Sequence, residues 1–264
     1  MEIPIHQTKW YQNVWAALIF FTRLPFWRIY EPPKESFTAV VEFWPLVGWL
    51  TGGLMAAVIY FGSWVMPYVL AVALAMLLRV LLTGALHEDG LADFFDGFGG
   101  GGNDRQHVLD IMKDSHIGTY GVLALIFYEA VLFVCLCLLP PAVAALTIFA
   151  ADPFSKMLAG QIVQMMPYAR NEAEAKNQTV YRRINVRAGI LLAFQGLLPV
   201  IPFYYFVGSS LPNIHWVLFV PCLTLYFLYL KIWRTLRGYT GDCCGALFLL
   251  VELSVYITVV IIRN

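Results

Sequence analysis

Long apolar runs separated by short polar breaks dominate the chain. Seven windows carry the roughly 20 mostly apolar residues that a membrane-crossing helix needs. They cover about 40–62, 67–86, 117–139, 142–165, 188–207, 216–232 and 243–262. Pro67, Pro141 and Pro212 fall at or near turns between windows, where helix breakers belong. A shorter run, Val14 to Phe21, is too brief to span and reads as an interfacial or re-entrant helix. Thr22-Arg23-Leu24-Pro25 follows it, not a small-residue cleavage site, so a signal peptide is not expected. The pattern predicts an all-α polytopic membrane bundle of about seven transmembrane helices, one domain over 1–264, with no internal repeat.

Composition agrees. Of 264 residues, 60% are hydrophobic and only 13% charged, and mean hydropathy is +0.70. A soluble domain carries about 25% charged residues, so these numbers exclude a soluble globule as well as a disordered chain. Net charge is zero, with 17 basic and 17 acidic residues, and no global field points to nucleic acid. The distribution of the charges is more telling. Under strict alternation of the seven spans, 14 of the 17 Lys and Arg fall on one side. The positive-inside rule then places the N-terminus and the two large loops, 87–116 and 166–187, in the cytoplasm.

Acidic residues cluster in the first of those loops. Seven of 17 lie between positions 88 and 114: Glu88, Asp89, Asp93, Asp96, Asp104, Asp110 and Asp114. Asp89, Asp93 and Asp96 are spaced i, i+4, i+7, which puts them within roughly 60° of arc on a helix. Three carboxylates on one face repel one another unless a cation compensates them. Oxygen-only donors suit Mg²⁺, Mn²⁺ or Ca²⁺ rather than zinc, and Mg²⁺ commonly takes one or two carboxylates, waters and phosphate oxygens. Gly90 and Gly97 read as openings for a bulky ligand, and Gly99–Gly102 as a helix-breaking flexible loop. Phe94, Phe95 and Phe98, interleaved with the acids, argue against an ordinary solvated loop. Val108, Leu109, Ile111 and Met112 suggest an amphipathic helix along the membrane surface, with Asp110 and Asp114 on its other face. Lys113, Ser115 and Thr119 could reach phosphate oxygens.

Ionisable residues within spans mark function by default: Glu42, Arg79, Glu129, Asp152, Lys156 and Glu252. Asp152 and Lys156, at i, i+4, read most simply as an ion pair. Asp242 begins the last span among Gly238, Gly241 and Gly245, a setting suited either to capping or to close ligand approach. Five cysteines without a C-x-x-C pair read as packing residues.

Several motifs, in order along nearly the whole chain, resemble the cobalamin synthase (adenosylcobinamide-GDP ribazoletransferase) family. They are F-x-T-R-L-P ending at Pro25, P-L-V-G at 45–48, T-G-x-x-H-x-D-G-L-A-D-x-x-D-G at 83–97, I-M-x-D-S-x-x-G-T-x-G at 111–121, Y-A-R at 168–170 and T-G-D-x-x-G-A at 240–246. The chain departs from the usual pattern at Glu88, where an apolar residue is common, at His116, where arginine is common, and at Cys243-Cys244. The resemblance implies a Mg²⁺-dependent integral membrane transferase of late vitamin B12 assembly, in the bacterial inner membrane. It would join adenosylcobinamide-GDP to α-ribazole or α-ribazole 5′-phosphate and release GMP. Association with other corrin-pathway enzymes, or with a second copy, is left open. In that frame Asp89, Asp93, Asp96 and Asp114 are the expected metal residues. Asp96 or His87 is the expected base, and Lys113, Ser115, Thr119, Arg237 and Asp242 are expected around substrate and phosphate. Two rival readings are a CDP-alcohol-type membrane phosphotransferase and a cation-coupled transporter. The first is disfavoured because Asp93 stands where its motif has Arg, the second because the acids gather in one loop and no repeat appears.

Overall fold

The second apolar window breaks at Gly84-Ala85, and that break organises the molecule. In the computed structural model, which describes residues 8–170, 181–208 and 211–263, both residues adopt left-handed backbone, φ +64° and +58°. Glycine does so freely, whereas alanine there costs about 1–2 kcal/mol, strain that the packing around it must hold. Arg23 lies over the bend: its amide donates to the Leu82 carbonyl, and a side chain at Gly84 would collide with the arginine.

Among the described residues twelve α-helices run in order: α1 (Trp10–Phe21), α2 (Trp44–Val65), α3 (Tyr68–Thr83), α4 (Leu86–Gly100), α5 (Arg105–Lys113), α6 (Thr119–Leu138), α7 (Pro141–Gly160), α8 (Ile162–Met165), α9 (Val186–Leu197), α10 (Val200–Phe206), α11 (Trp216–Leu236) and α12 (Gly241–Arg263). A 3₁₀ segment, Lys34–Phe43, leads into α2. Six helical stretches are long and apolar enough to span, and α3 with α4, bent by 87°, make a seventh if counted as one. This is a multi-pass, all-α membrane protein. The seven windows correspond to these stretches, with shifted ends: the sixth helix runs to Leu236 rather than 232. The middle of the 166–187 loop, including Lys176, lies outside the described residues.

The acidic segment is not a loop. It is helix α4, packed against α12, α6 and α5, with Leu91, Ala92 and Phe94 buried in the core. The four-glycine run does not break it, because α4 continues through Gly100 and ends only where Gly102 turns left-handed at φ +62°. Two of the conspicuous glycines serve helix contacts rather than a ligand. A Cβ on Gly90 would lie 3.1 Å from the Asp242 carbonyl oxygen, and one on Gly245 would lie 3.2 Å from that of His87. Small residues thus let α4 and α12 cross backbone to backbone, as they do in membrane helix pairs. Gly97 likewise abuts Met112 and the Val108 carbonyl. Helix α5 therefore buries Val108, Leu109 and Met112 against protein and not against lipid.

Asp152, Glu252 and Glu42 each pair with a cation. Asp152 bonds Lys156 one turn on and accepts from Thr51 Oγ1 at 2.8 Å. Arg79 Nη1 donates to Glu252 Oε2 at 2.7 Å and Nη2 to the Tyr128 hydroxyl at 2.7 Å, while the Tyr256 hydroxyl donates to Glu252 Oε1 at 2.8 Å. Glu42, counted within the first window, sits in the 3₁₀ segment and takes a two-pronged bond from Arg182 at 2.6 and 2.9 Å.

Asp96 explains why two motifs distant in sequence belong together. Its carboxylate accepts from the amides of Gly118 (2.7 Å) and Gly121 (2.8 Å), at the N-terminus of α6. Those amides have no partner within their own helix, and the helix dipole favours an anion there. A side chain at Gly118 or Gly121 would strike the carboxylate, so the glycines of G-T-x-G are its complement. Asp96→Ala leaves one buried and one part-buried donor unpaired and is expected to destabilise the fold by about 2 kcal/mol, with Asp96→Asn, which keeps one acceptor, losing less. Thermal unfolding in detergent checks this; an unchanged midpoint for Asp96→Ala would contradict it.

Candidate active site

Beside the α4–α12 crossing, two carboxylates face one cavity of about 150 Å³. Asp89 comes from the first turn of α4 and Asp242 from the first turn of α12. Thr240 sets the second: its hydroxyl accepts from the Cys243 amide at 3.2 Å, capping α12, and lies 3.3 Å from Asp242 Oδ2. Arg170 also lines the cavity, its guanidinium 4.0 Å from Asp242. A short parallel bridge delivers it there. The Ala169 amide donates to the Tyr239 carbonyl (2.8 Å) and the Tyr239 amide to the Pro167 carbonyl (3.0 Å). Gly238 permits the approach, since a Cβ there would sit 2.7 Å from the Pro167 oxygen. The Y-A-R and T-G-D motifs are thereby one structural unit.

The wall opposite the carboxylates is aromatic. The His87 ring stacks on Phe21 and Trp44 at 6.2 and 5.8 Å and meets Phe248 edge-on at 4.8 Å. His87 is buried, and its Nε2 has no hydrogen-bond partner. Tyr168 and Tyr181 line the same space, and burial pushes both phenols above their ordinary range, so they remain proton donors. An adjoining groove of about 740 Å³, containing Arg23, Phe37 and Leu86, shares Asp89 with the cavity.

The donor chemistry suits Mg²⁺. Asp89 and Asp242 make two carboxylates on one small cavity, and Mg²⁺ asks for no more from protein when waters and phosphate oxygens complete its shell. Among the described residues no three of His, Cys, Asp and Glu converge as a metal group.

The family model for cobalamin-5-phosphate synthase matches residues 13–260. The chain belongs to the cobalamin-5-phosphate synthase family. Within it, the chain is 31% identical over 261 residues to the adenosylcobinamide-GDP ribazoletransferase of Leptospira interrogans, covering 98% of both chains. It is 32% identical over 263 residues to the enzyme of that name from Shewanella baltica (97% of both) and 31% identical to that of Shewanella oneidensis. No solved structure matches.

Within this chain the candidate residues divide. Asp89, Asp242 and His87 share the cavity. Asp93 is half-buried one turn along α4 from Asp89. Asp96 is committed to the α6 amides. Arg237 caps α11 in left-handed conformation, its guanidinium 5.4 Å from the Trp233 ring centre. Ser115 and Thr119 are exposed at the α5–α6 turn, and Lys113 lines a different cavity, formed by α5 with Ala169 and Arg170. Arg170 carries no signal in the sequence beyond its place in Y-A-R.

Asp114 is exposed and holds His116, with Nδ1 and Oδ1 2.7 Å apart. That hydrogen bond holds the imidazole above its ordinary range and the carboxyl below its own. The raised imidazole contributes fully below the free histidine value and is lost as pH rises through its own. The lowered carboxyl contributes above the free aspartate value and is lost as pH falls through its own. Between those limits the turn before α6 is tied and position 116 carries positive charge. Asp114→Asn should lower the His116 titration midpoint seen by NMR; an unmoved midpoint would refute the pairing.

Proposed function

We propose that this chain is the membrane transferase that joins adenosylcobinamide-GDP to α-ribazole or α-ribazole 5′-phosphate, forming adenosylcobalamin or its 5′-phosphate and releasing GMP. The observation that carries the site assignment is the pairing of Asp89 and Asp242 across the α4–α12 crossing, beside Arg170, in a chain of this family.

In this reading the pyrophosphate of adenosylcobinamide-GDP occupies the cavity. Asp89 and Asp242 would hold Mg²⁺, which would supply charge neutralisation for the pyrophosphate and the departing GMP. Arg170 orients a phosphate oxygen on the other side. A ribose hydroxyl of the acceptor forms a new bond to the β-phosphorus as the bond from that phosphorus to the GMP oxygen breaks. His87 Nε2, buried and without a partner, takes the hydroxyl proton. Asp96 acts at a distance, by fixing the end of α6 against α4. A cavity of about 150 Å³ has no room for a corrin, so the remainder of the donor lies along the larger groove by Arg23 and Phe37. The basic residues on one side of the spans support an N-terminus in the cytoplasm of a bacterial inner membrane, with the site facing the same compartment.

The test uses purified protein in detergent or vesicles with adenosylcobinamide-GDP and α-ribazole 5′-phosphate. GMP and the joined corrinoid should appear one for one. No GMP under conditions where the protein remains folded would overturn the assignment.

A further inference from the structure

The polar face of α5 is unused by the pyrophosphate cavity. Arg105 and Lys113 lie along it at i and i+8, with Gln106 and Asp110 alongside and the buried Leu109 at its edge. The other face, Val108 and Met112, is buried. The polar face closes a second cavity, about 220 Å³, against Ala169 and Arg170. Three of its side chains are cationic: Arg105, Lys113 and Arg170. Its one acid, Asp110, accepts from the Gln106 amide at 2.9 Å.

The two guanidiniums are fixed in advance. Arg105 donates to the carbonyls of Leu236 (2.8 Å) and Ala169 (2.5 Å), and Arg170 donates to that of Leu109 (3.1 Å). Arg170 also faces Asp242 at 4.0 Å on its other side, whereas the Arg105 bonds go to neutral carbonyls and leave its charge unbalanced. Lys113, on the same wall, has no ion-pair partner among the described residues. Arg170 lines both cavities, so an anion held here lies one guanidinium away from the reacting pyrophosphate.

We propose that this cavity is a second anion subsite, which receives the phosphomonoester of a nucleotide acceptor, and that Lys113 sets the preference for that acceptor over its unphosphorylated nucleoside. The inference rests on the function proposed above. The phosphomonoester is a spectator: no bond to it forms or breaks. Its contacts are equal in ground and transition states and act through KM rather than kcat.

The experiment compares α-ribazole 5′-phosphate with α-ribazole as acceptors for the full-length protein. Wild type should favour the phosphorylated acceptor in kcat/KM. Lys113→Ala should reduce that preference about tenfold, through KM, as expected for losing one charged contact. Lys113→Arg should retain most of it, and Lys113→Glu should lose more than the alanine variant. Absence of any preference in wild type, an unchanged preference in the variants, or an equal fall for both acceptors would overturn the subsite. If wild type releases no GMP with either acceptor, the proposed function fails instead. Protection of Lys113 from amine acetylation by inorganic phosphate, read by mass spectrometry, then decides the subsite alone: protection supports it and none refutes it.

Discussion

Asp89→Asn is expected to cut GMP release by about a thousandfold, the scale reached when a preorganised electrostatic group is removed from a transition state. The change removes one of two carboxylates on the cavity and alters little else. Asp89 is exposed at the start of α4, and neutralising it leaves no buried charge unpaired. Membrane insertion and the unfolding midpoint should therefore match wild type. That combination separates Asp89 from Asp96, whose loss should lower the midpoint because it holds the amides of α6. Near-normal GMP release by Asp89→Asn would remove this residue from the site.

The largest stability effect is expected at Arg79. Its guanidinium is buried with Glu252 between α3 and α12, beside the hydroxyls of Tyr128 and Tyr256. Arg79→Met leaves the Glu252 carboxylate in an apolar interior without its cation, a change that costs about 3–5 kcal/mol in buried pairs. The double variant Arg79→Met/Glu252→Leu removes both charges and should recover much of that loss, since burying an ion pair is itself expensive. Unfolding in mixed micelles measures both. A single variant as stable as wild type, or a double variant worse than the single, would contradict the network.

The spans were readable because apolar runs of membrane length need no tertiary information. The bend at Gly84-Ala85 was not, since the apolar run passes straight through it. Asp89, Asp93 and Asp96 do share a helical face, yet Asp89 lines the cavity while Asp96 is bound to the α6 amides. Asp89 meets Asp242, 153 positions away, only because Gly90 and Gly245 let two helices touch. Asp96 meets Gly118 and Gly121 because α6 begins there and its first amides lack partners within the helix. Glycine spacing in the sequence looks the same whether a ligand or a helix fills the space. Arg170 reaches the site through backbone bonds to Tyr239, which leave no trace in side-chain pattern. The Asp152–Lys156 pair, set by i, i+4 spacing within one helix, was the interior contact open to sequence reasoning.

The central claim is that Asp89 and Asp242 hold a divalent cation against a pyrophosphate. Its most direct test is GMP release by purified protein from adenosylcobinamide-GDP and α-ribazole 5′-phosphate, first in EDTA and then across a Mg²⁺ titration. No release is expected in EDTA, with recovery on adding Mg²⁺ and a higher Mg²⁺ requirement in Asp242→Asn. Release in EDTA at the wild-type Mg²⁺ rate would contradict the claim.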